Sequence, residues 1–151
     1  MNASTDRIER TILLQAPRAK VWAALADAEA FGRWFGVDLR GQRFVAGQPV
    51  VGAITHPGYE HLRMEAQVQR VEPERLLSFR WHPYAIDPDA DYSREAPTLV
   101  EFSLEDADGG TRLRVVESGF DAIPAPRRDE AYRMNSGGWD QQVENIARFV
   151  G

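Results

Sequence analysis

Residues 98–118 read TLVEFSLEDADGGTRLRVVES. Over 98–105, Val100, Phe102 and Leu104 alternate with polar neighbours, the period of a strand with one apolar face. The run Asp106-Ala107-Asp108-Gly109-Gly110 has the residues a hairpin turn needs. Residues 111–118 return, with Leu113, Val115 and Glu117 sharing a face. One-sided alternation of this kind predicts an antiparallel sheet with one wet side. It leaves one oddity, a carboxylate in an apolar row.

The pattern repeats upstream. In 62–71, Leu62, Met64, Ala66 and Val68 oppose Arg63, Glu65, Gln67 and Gln69. After a short turn at 72–75, Leu77, Phe79 and Trp81 share one face of a strand over 76–82. Residues 49–55 predict another strand, with Val50, Gly52 and Ile54 on one side, ended by the turn His56-Pro57-Gly58. A first strand is expected at 8–14. Val21, Trp22 and Leu25 then make a helical stripe over 17–26, where Pro17 suits the first turn. Asp27 stands where it caps a second helix over 28–34 or 28–35, with Phe31, Trp34 and Phe35 as its apolar side and Gly36 as its end.

Residues 83–97 are rich in Asp and Pro and predict a long loop, mobile or functional. As function it would be a lid over a pocket mouth or a partner surface. After Pro124 and Pro126, a last helix is expected from about Asp129 to about Val150, roughly 20 residues and 30 Å. Its stripe is Trp139, Ile146, Val143 or Gln142, and Phe149 or Val150.

The order is one strand, two short helices, a run of antiparallel strands and one long helix. This predicts an α+β fold, a curved antiparallel sheet wrapped around a long C-terminal helix, and argues against a βαβ enzyme fold. The sheet must cover its apolar face, and only the last helix is long enough. Space left between the two is a natural ligand site. With 151 residues, one domain over 1–151 is expected.

Composition removes several classes. The chain has 18 basic and 23 acidic residues, net charge -5, the reverse of a nucleic-acid binder. No apolar run approaches the ~20 residues of a membrane span. Residues 1–10 lack the apolar core of a secretory signal, so a cytoplasmic location is expected. The absence of Cys excludes disulfides, thiolate zinc sites and a cysteine nucleophile.

Four short motifs occur in sequence: Ala16-Pro17-x-x-x-Val21-Trp22-x-Ala24-Leu25, Phe31-x-x-Trp34-Phe35, Val116-Glu117-Ser118-Gly119-Phe120 and Asn135-x-x-Gly138-Trp139. Their order and spacing resemble the START/Bet v 1-like (SRPBCC) helix-grip superfamily, in the branch of the activator of heat-shock ATPase homologue (AHSA) C-terminal domain. The resemblance spans about residues 8–150. It implies a pocket between sheet and long helix. Members resembling this chain bind apolar ligands, some relatives cyclise polyketides, and the eukaryotic namesakes stimulate a chaperone.

The aromatic set Phe31, Trp34, Phe35, Phe79, Trp81, Phe102 and Trp139 is either core packing or, in part, the wall of a cavity. Trp81, at a strand end beside the long loop, and Trp139, on the roofing helix, are the best placed to line one. The expected ligand-binding set is Trp34, Met64, Phe79, Trp81, Phe102, Val115, Glu117, Asn135 and Trp139. Glu117 either reaches water or caps a turn at the strand end, or is a polar contact inside the pocket.

Three functions follow. The favoured one is binding of a small, mostly apolar molecule. The second is a cyclase or hydro-lyase, which would need an acid–base pair such as Glu117 with His82 or Arg80. The third is a module that stimulates a chaperone ATPase. No cofactor fingerprint occurs. His56, Glu60 and His61 lack the spacing of a metal site, and Asp87-x-Asp89-x-Asp91 lacks the Gly and Glu of a calcium loop, so no metal is expected. Gly137-Gly138 inside the last helix suggests a close approach to another element, or a kink.

Overall fold

The alternating runs form six strands: β1 (Arg7–Leu14), β2 (Pro49–Ala53), β3 (Arg63–Glu72), β4 (Leu76–Trp81), β5 (Thr98–Ala107) and β6 (Gly110–Ser118). A computed structural model describes residues 6–85, 87 and 89–151; the first half of the 1–10 reading, and positions 86 and 88 of the long loop, lie outside the described residues. The strands form one antiparallel sheet in the order β1-β6-β5-β4-β3-β2. β2 to β6 is a meander, so β1 and β2 occupy opposite edges. The chain passes from one edge to the other through α1 (Arg18–Ala26) and α2 (Ala28–Phe35). The long α3 (Ala125–Val150) follows β6 and contributes Trp139, Ile146 and Val150 to the core formed with Phe79, Phe102 and Leu113 of the sheet. This is the helix-grip arrangement. Among the described residues no helix is long and apolar enough to cross a membrane.

Local chemistry explains the joints. The Asp27 carboxylate accepts from the backbone N–H of Glu29 at 3.0 Å and of Ala30 at 3.5 Å, meeting orphan donors at the start of α2. Gly36 ends that helix at φ +95°, a left-handed conformation that costs a residue without Cβ little. In β3 the register shifts between Val68 and Arg70. That bulge changes the parity of the strand and returns Val71, opposite Leu77, to the core side.

Two expectations about α3 need correction. The helix starts at Ala125 and has 26 residues, about 39 Å at 1.5 Å per residue. Pro124 and Pro126 were expected to lie in a loop, but a proline in the first turn removes only an N–H that has no helical partner. Gly137 and Gly138 approach nothing: a Cβ built on either meets no atom within 4 Å. Close approach instead occurs at Gly32 of α2, where a Cβ would lie 2.1 Å from the Val37 carbonyl oxygen.

Substitution by alanine should therefore have opposite signs at these positions. Gly32→Ala is expected to destabilise by about 2 kcal/mol or more, because backbone must move. Gly138→Ala in open helix is expected to stabilise by roughly 0.5–1 kcal/mol. Urea unfolding of both variants checks the pair, and equal signs would contradict the packing described.

Candidate functional site

Alternation on the inner face of the sheet brings three side chains together. Trp81, the last residue of β4, pairs across the ladder with Thr98, the first of β5. Two residues further along β5, Val100 pairs with Glu117 near the end of β6. On α3, Asn135 and Trp139 are four apart and so share a helix face. Four of these side chains, Trp81, Thr98, Asn135 and Trp139, converge on the carboxyl of Glu117. Glu117 Oε2 accepts from Trp81 Nε1 at 2.7 Å and from Thr98 Oγ1 at 2.5 Å. Glu117 Oε1 accepts from Asn135 Nδ2 at 2.9 Å and from Trp139 Nε1 at 2.8 Å.

Glu117 has no exposed surface. The expectation that it reaches water or caps a turn is thus overturned; the strand end is roofed by α3. Its four partners, two at each oxygen, are the indoles of Trp81 and Trp139, the Asn135 amide and the Thr98 hydroxyl. No cation is among them. The expected acid–base pair is not assembled: Arg80 is exposed, on the strand face opposite Trp81, and His82 Nε2 lies 2.9 Å from the Glu95 carbonyl oxygen. Neither is a hydrogen-bond partner of Glu117.

Aromatic side chains pack closely in the interior between sheet and helix. Phe31 sits among Trp34, Phe35 and Phe44 at centroid distances of 4.9, 4.8 and 5.3 Å. Trp139 packs against Trp81 at 6.0 Å and Phe102 at 5.8 Å. Of the expected ligand-binding residues, Phe79, Phe102, Val115, Glu117 and Trp139 are buried core residues and do not line the two hollows described next. Hydrophobic residues of nearly the right total volume pack to crystal-like density, and periodicity does not distinguish a wall from a filling.

Two adjoining hollows lie at the mouth between sheet and helix. Trp81, Met64 and Asn135, all expected, line a small cavity of about 150 Å³ together with Phe35, Leu62 and Tyr84. Its polar lining comes from Arg63, Glu65, His82 and Asn135. A larger open groove of about 770 Å³ adjoins it, sharing Phe35, Ile54 and Leu62, and also includes Trp34. The Trp34 indole itself is spent on the Ala24 carbonyl at 2.8 Å. Phe35, Ile54 and Leu62 were legible as apolar positions without being marked as site residues. Tyr84 lies in the loop, at φ +51°, where no periodicity marks a side chain.

One wall of the mouth is the loop between β4 and β5, and it is fastened. Arg127 in the first turn of α3 pairs with Glu95 at 2.6 Å, both largely buried. Its Nη1 donates to the carbonyls of Pro83 at 2.8 Å and Tyr84 at 3.0 Å, and its guanidinium lies 4.8 Å from the Tyr92 ring centroid. In the turn after β2, the Glu60 carboxyl is held below the ordinary carboxylate range by the backbone N–H groups of Glu60 itself and Gly58. Among the described residues no group of three or more His, Asp or Glu side chains could hold a metal ion.

Glu117→Gln should destabilise the protein by about 3 kcal/mol, since a carboxamide presents an N–H₂ to at least one obligate donor and leaves both unpaired in the core. Thr98→Val, whose partner keeps three other donors, should cost less, about 1–2 kcal/mol. Urea unfolding gives both values. The ¹⁵N resonances of the Trp81 and Trp139 indoles should shift in Glu117→Gln while that of Trp34 stays; unmoved Trp81 and Trp139 signals would contradict the network.

Comparison with known proteins places the chain. No curated protein matches it. Among solved structures, MLL2253 from Mesorhizobium loti is 24% identical over 95% of both chains, with a TM-score of 0.72. A protein from Arthrobacter aurescens is 17% identical with a TM-score of 0.75, over 99% of this chain and 89% of its own. DynU16, a protein in the dynemicin biosynthetic locus, is 22% identical with a TM-score of 0.71; the chain spans 95% of itself but 46% of DynU16. At these identities the likeness is one of fold. Residues 15–151 match the model of the family described as Activator of Hsp90 ATPase homolog 1-like protein. With that match over nearly its whole length, and with the helix-grip fold, the chain belongs to the Activator of Hsp90 ATPase homolog 1-like family within the START/Bet v 1-like superfamily.

Proposed function

We propose that this protein binds a small, mostly apolar molecule at the mouth between α3 and the β2–β4 side of the sheet. The observation that carries the reading is the cavity of about 150 Å³ under Trp81, Met64 and Asn135, opening onto the groove of about 770 Å³. The groove falls within the ~300–1,000 Å³ of ordinary ligand pockets. The inner cavity alone has the size that holds one benzene-like ring. Burying about 200 Å² of apolar ligand surface contributes about 5 kcal/mol before the costs of association, so the inner cavity by itself gives weak binding and the groove must take part. Glu117 serves this reading indirectly. It fixes the Trp81 ring and the Asn135 amide that face the ligand.

A fluorescence titration with N-phenylnaphthylamine, an uncharged two-ring probe, tests it. Saturable binding is expected in the parent protein. Leu62→Trp, at a position shared by cavity and groove, should weaken it by about tenfold or more while the melting temperature holds. Absence of saturation, or affinity indifferent to that substitution, would remove the reading.

The family description supports a second reading, contact with an Hsp90-type chaperone. A cytoplasmic location belongs to the same proposal. Raised ATP turnover of the chaperone on adding this protein would support it, and an unchanged rate would count against it.

A further inference from the structure

The groove differs in charge from the rest of the surface. The chain has 23 acidic against 18 basic residues. Yet no Asp or Glu lines this groove, while Arg33, Arg148 and His56 do. The three are not equivalent. Arg33 already pairs with Glu29 at 2.6 Å. His56 lies against the Tyr59 ring, and its charge acts on nearby Glu60. Arg148 has no carboxylate partner among the described residues. One of its N–H groups donates to Asn145 Oδ1 at 2.6 Å, leaving most of the donors of the guanidinium for an external acceptor.

The position of Arg148 is fixed by a chain of amides. Asn145 Oδ1 also accepts from Gln141, Asn145 Nδ2 donates to Gln142 Oε1, and Gln142 Nε2 donates to the Phe35 carbonyl at 2.8 Å. A cation is thus held at the side of an apolar surface made by Phe35, Ile54 and Leu62. Phe149, next in sequence, also lines the groove and remains 41% exposed, an aromatic that the fold itself does not bury. Apolar area together with an unpaired guanidinium fits a ligand with both properties.

We propose that the groove binds an amphiphilic organic anion, its carboxylate or sulfonate head on Arg148 and its ring-containing apolar body against Phe35, Ile54 and Leu62. This rests on the apolar-binding reading above and narrows it to a charged class. The guanidinium fork matches a carboxylate or sulfonate edge, and charge-assisted hydrogen bonds are roughly twice as strong as neutral ones. A neutral ligand of the same shape gains the apolar contact alone.

Two probes of the same ring system separate these contributions: anilinonaphthalene sulfonate, which carries the anion, and N-phenylnaphthylamine, which does not. Each is titrated into the parent protein, Arg148→Gln and Arg148→Lys, with circular dichroism confirming the fold. The anion is expected to bind about tenfold more tightly than the neutral probe. Arg148→Gln should abolish that preference and leave the neutral probe unchanged, Arg148→Lys should keep part of it, and added salt should weaken the anion alone. Equal affinity for both probes in the parent overturns the inference and leaves the apolar-binding reading standing. A preference for the anion that survives Arg148→Gln overturns the assignment of the head group to Arg148. Failure of both probes to bind overturns both readings.

Discussion

A carboxylate with no exposed surface has to find every hydrogen bond inside the protein, and Glu117 finds four. The donors come from β4, β5 and α3, while Glu117 itself is on β6. Burial of Phe102, Trp139 and Ile146 would hold α3 against the sheet by area alone. The hydrophobic effect has no direction, however, and leaves rotation and sliding of a long helix weakly defined. Two donors four residues apart on α3, both aimed at Oε1, fix that rotation. The two donors on Oε2 fix the Trp81 indole and close the base of the 83–97 loop, whose ends are the paired strand termini Trp81 and Thr98.

This explains why an expensive group is tolerated in the core. A buried polar group left without hydrogen bonds costs several kcal/mol, and here four hydrogen bonds compensate it. The exposed ion pairs of the chain, such as Arg33 with Glu29 and Arg40 with Asp38, are screened by solvent and specify little. The Arg127–Glu95 pair is different. It is largely buried, it has geometry for several hydrogen bonds, and it ties loop carbonyls to the start of α3. Both polar centres thereby act on the same structure, the rim of the mouth.

Large aromatics pack in the interior, and the groove lies among α2, the 54–62 segment and α3. Phe35, Ile54 and Leu62 are half-buried there while Arg148 and Phe149 are exposed, so the lining combines apolar area with reach to solvent. Leu62 and Phe35 belong to both hollows, and Arg148 and Phe149 belong to the outer one.

Sequence alone determined the strand pattern, the two short helices with their Asp27 and Gly36 boundaries, and the α+β class, because these depend on period, capping and turn chemistry within a few residues. It also singled out Glu117, since a charge in an apolar row breaks that period. It missed the true start of α3, because prolines in a first turn look like a loop, and the bulge at Gln69, because parity shows only against the partner strand. Tertiary structure alone decided that Glu117 has four hydrogen-bond partners, that Phe79, Phe102 and Trp139 are buried in the core, and that Arg148 stands beside an apolar groove with no carboxylate partner among the described residues. Those facts depend on rotamers and on which distant residues meet. One sequence constrains such contacts only through the total volume and the geometry of the finished packing.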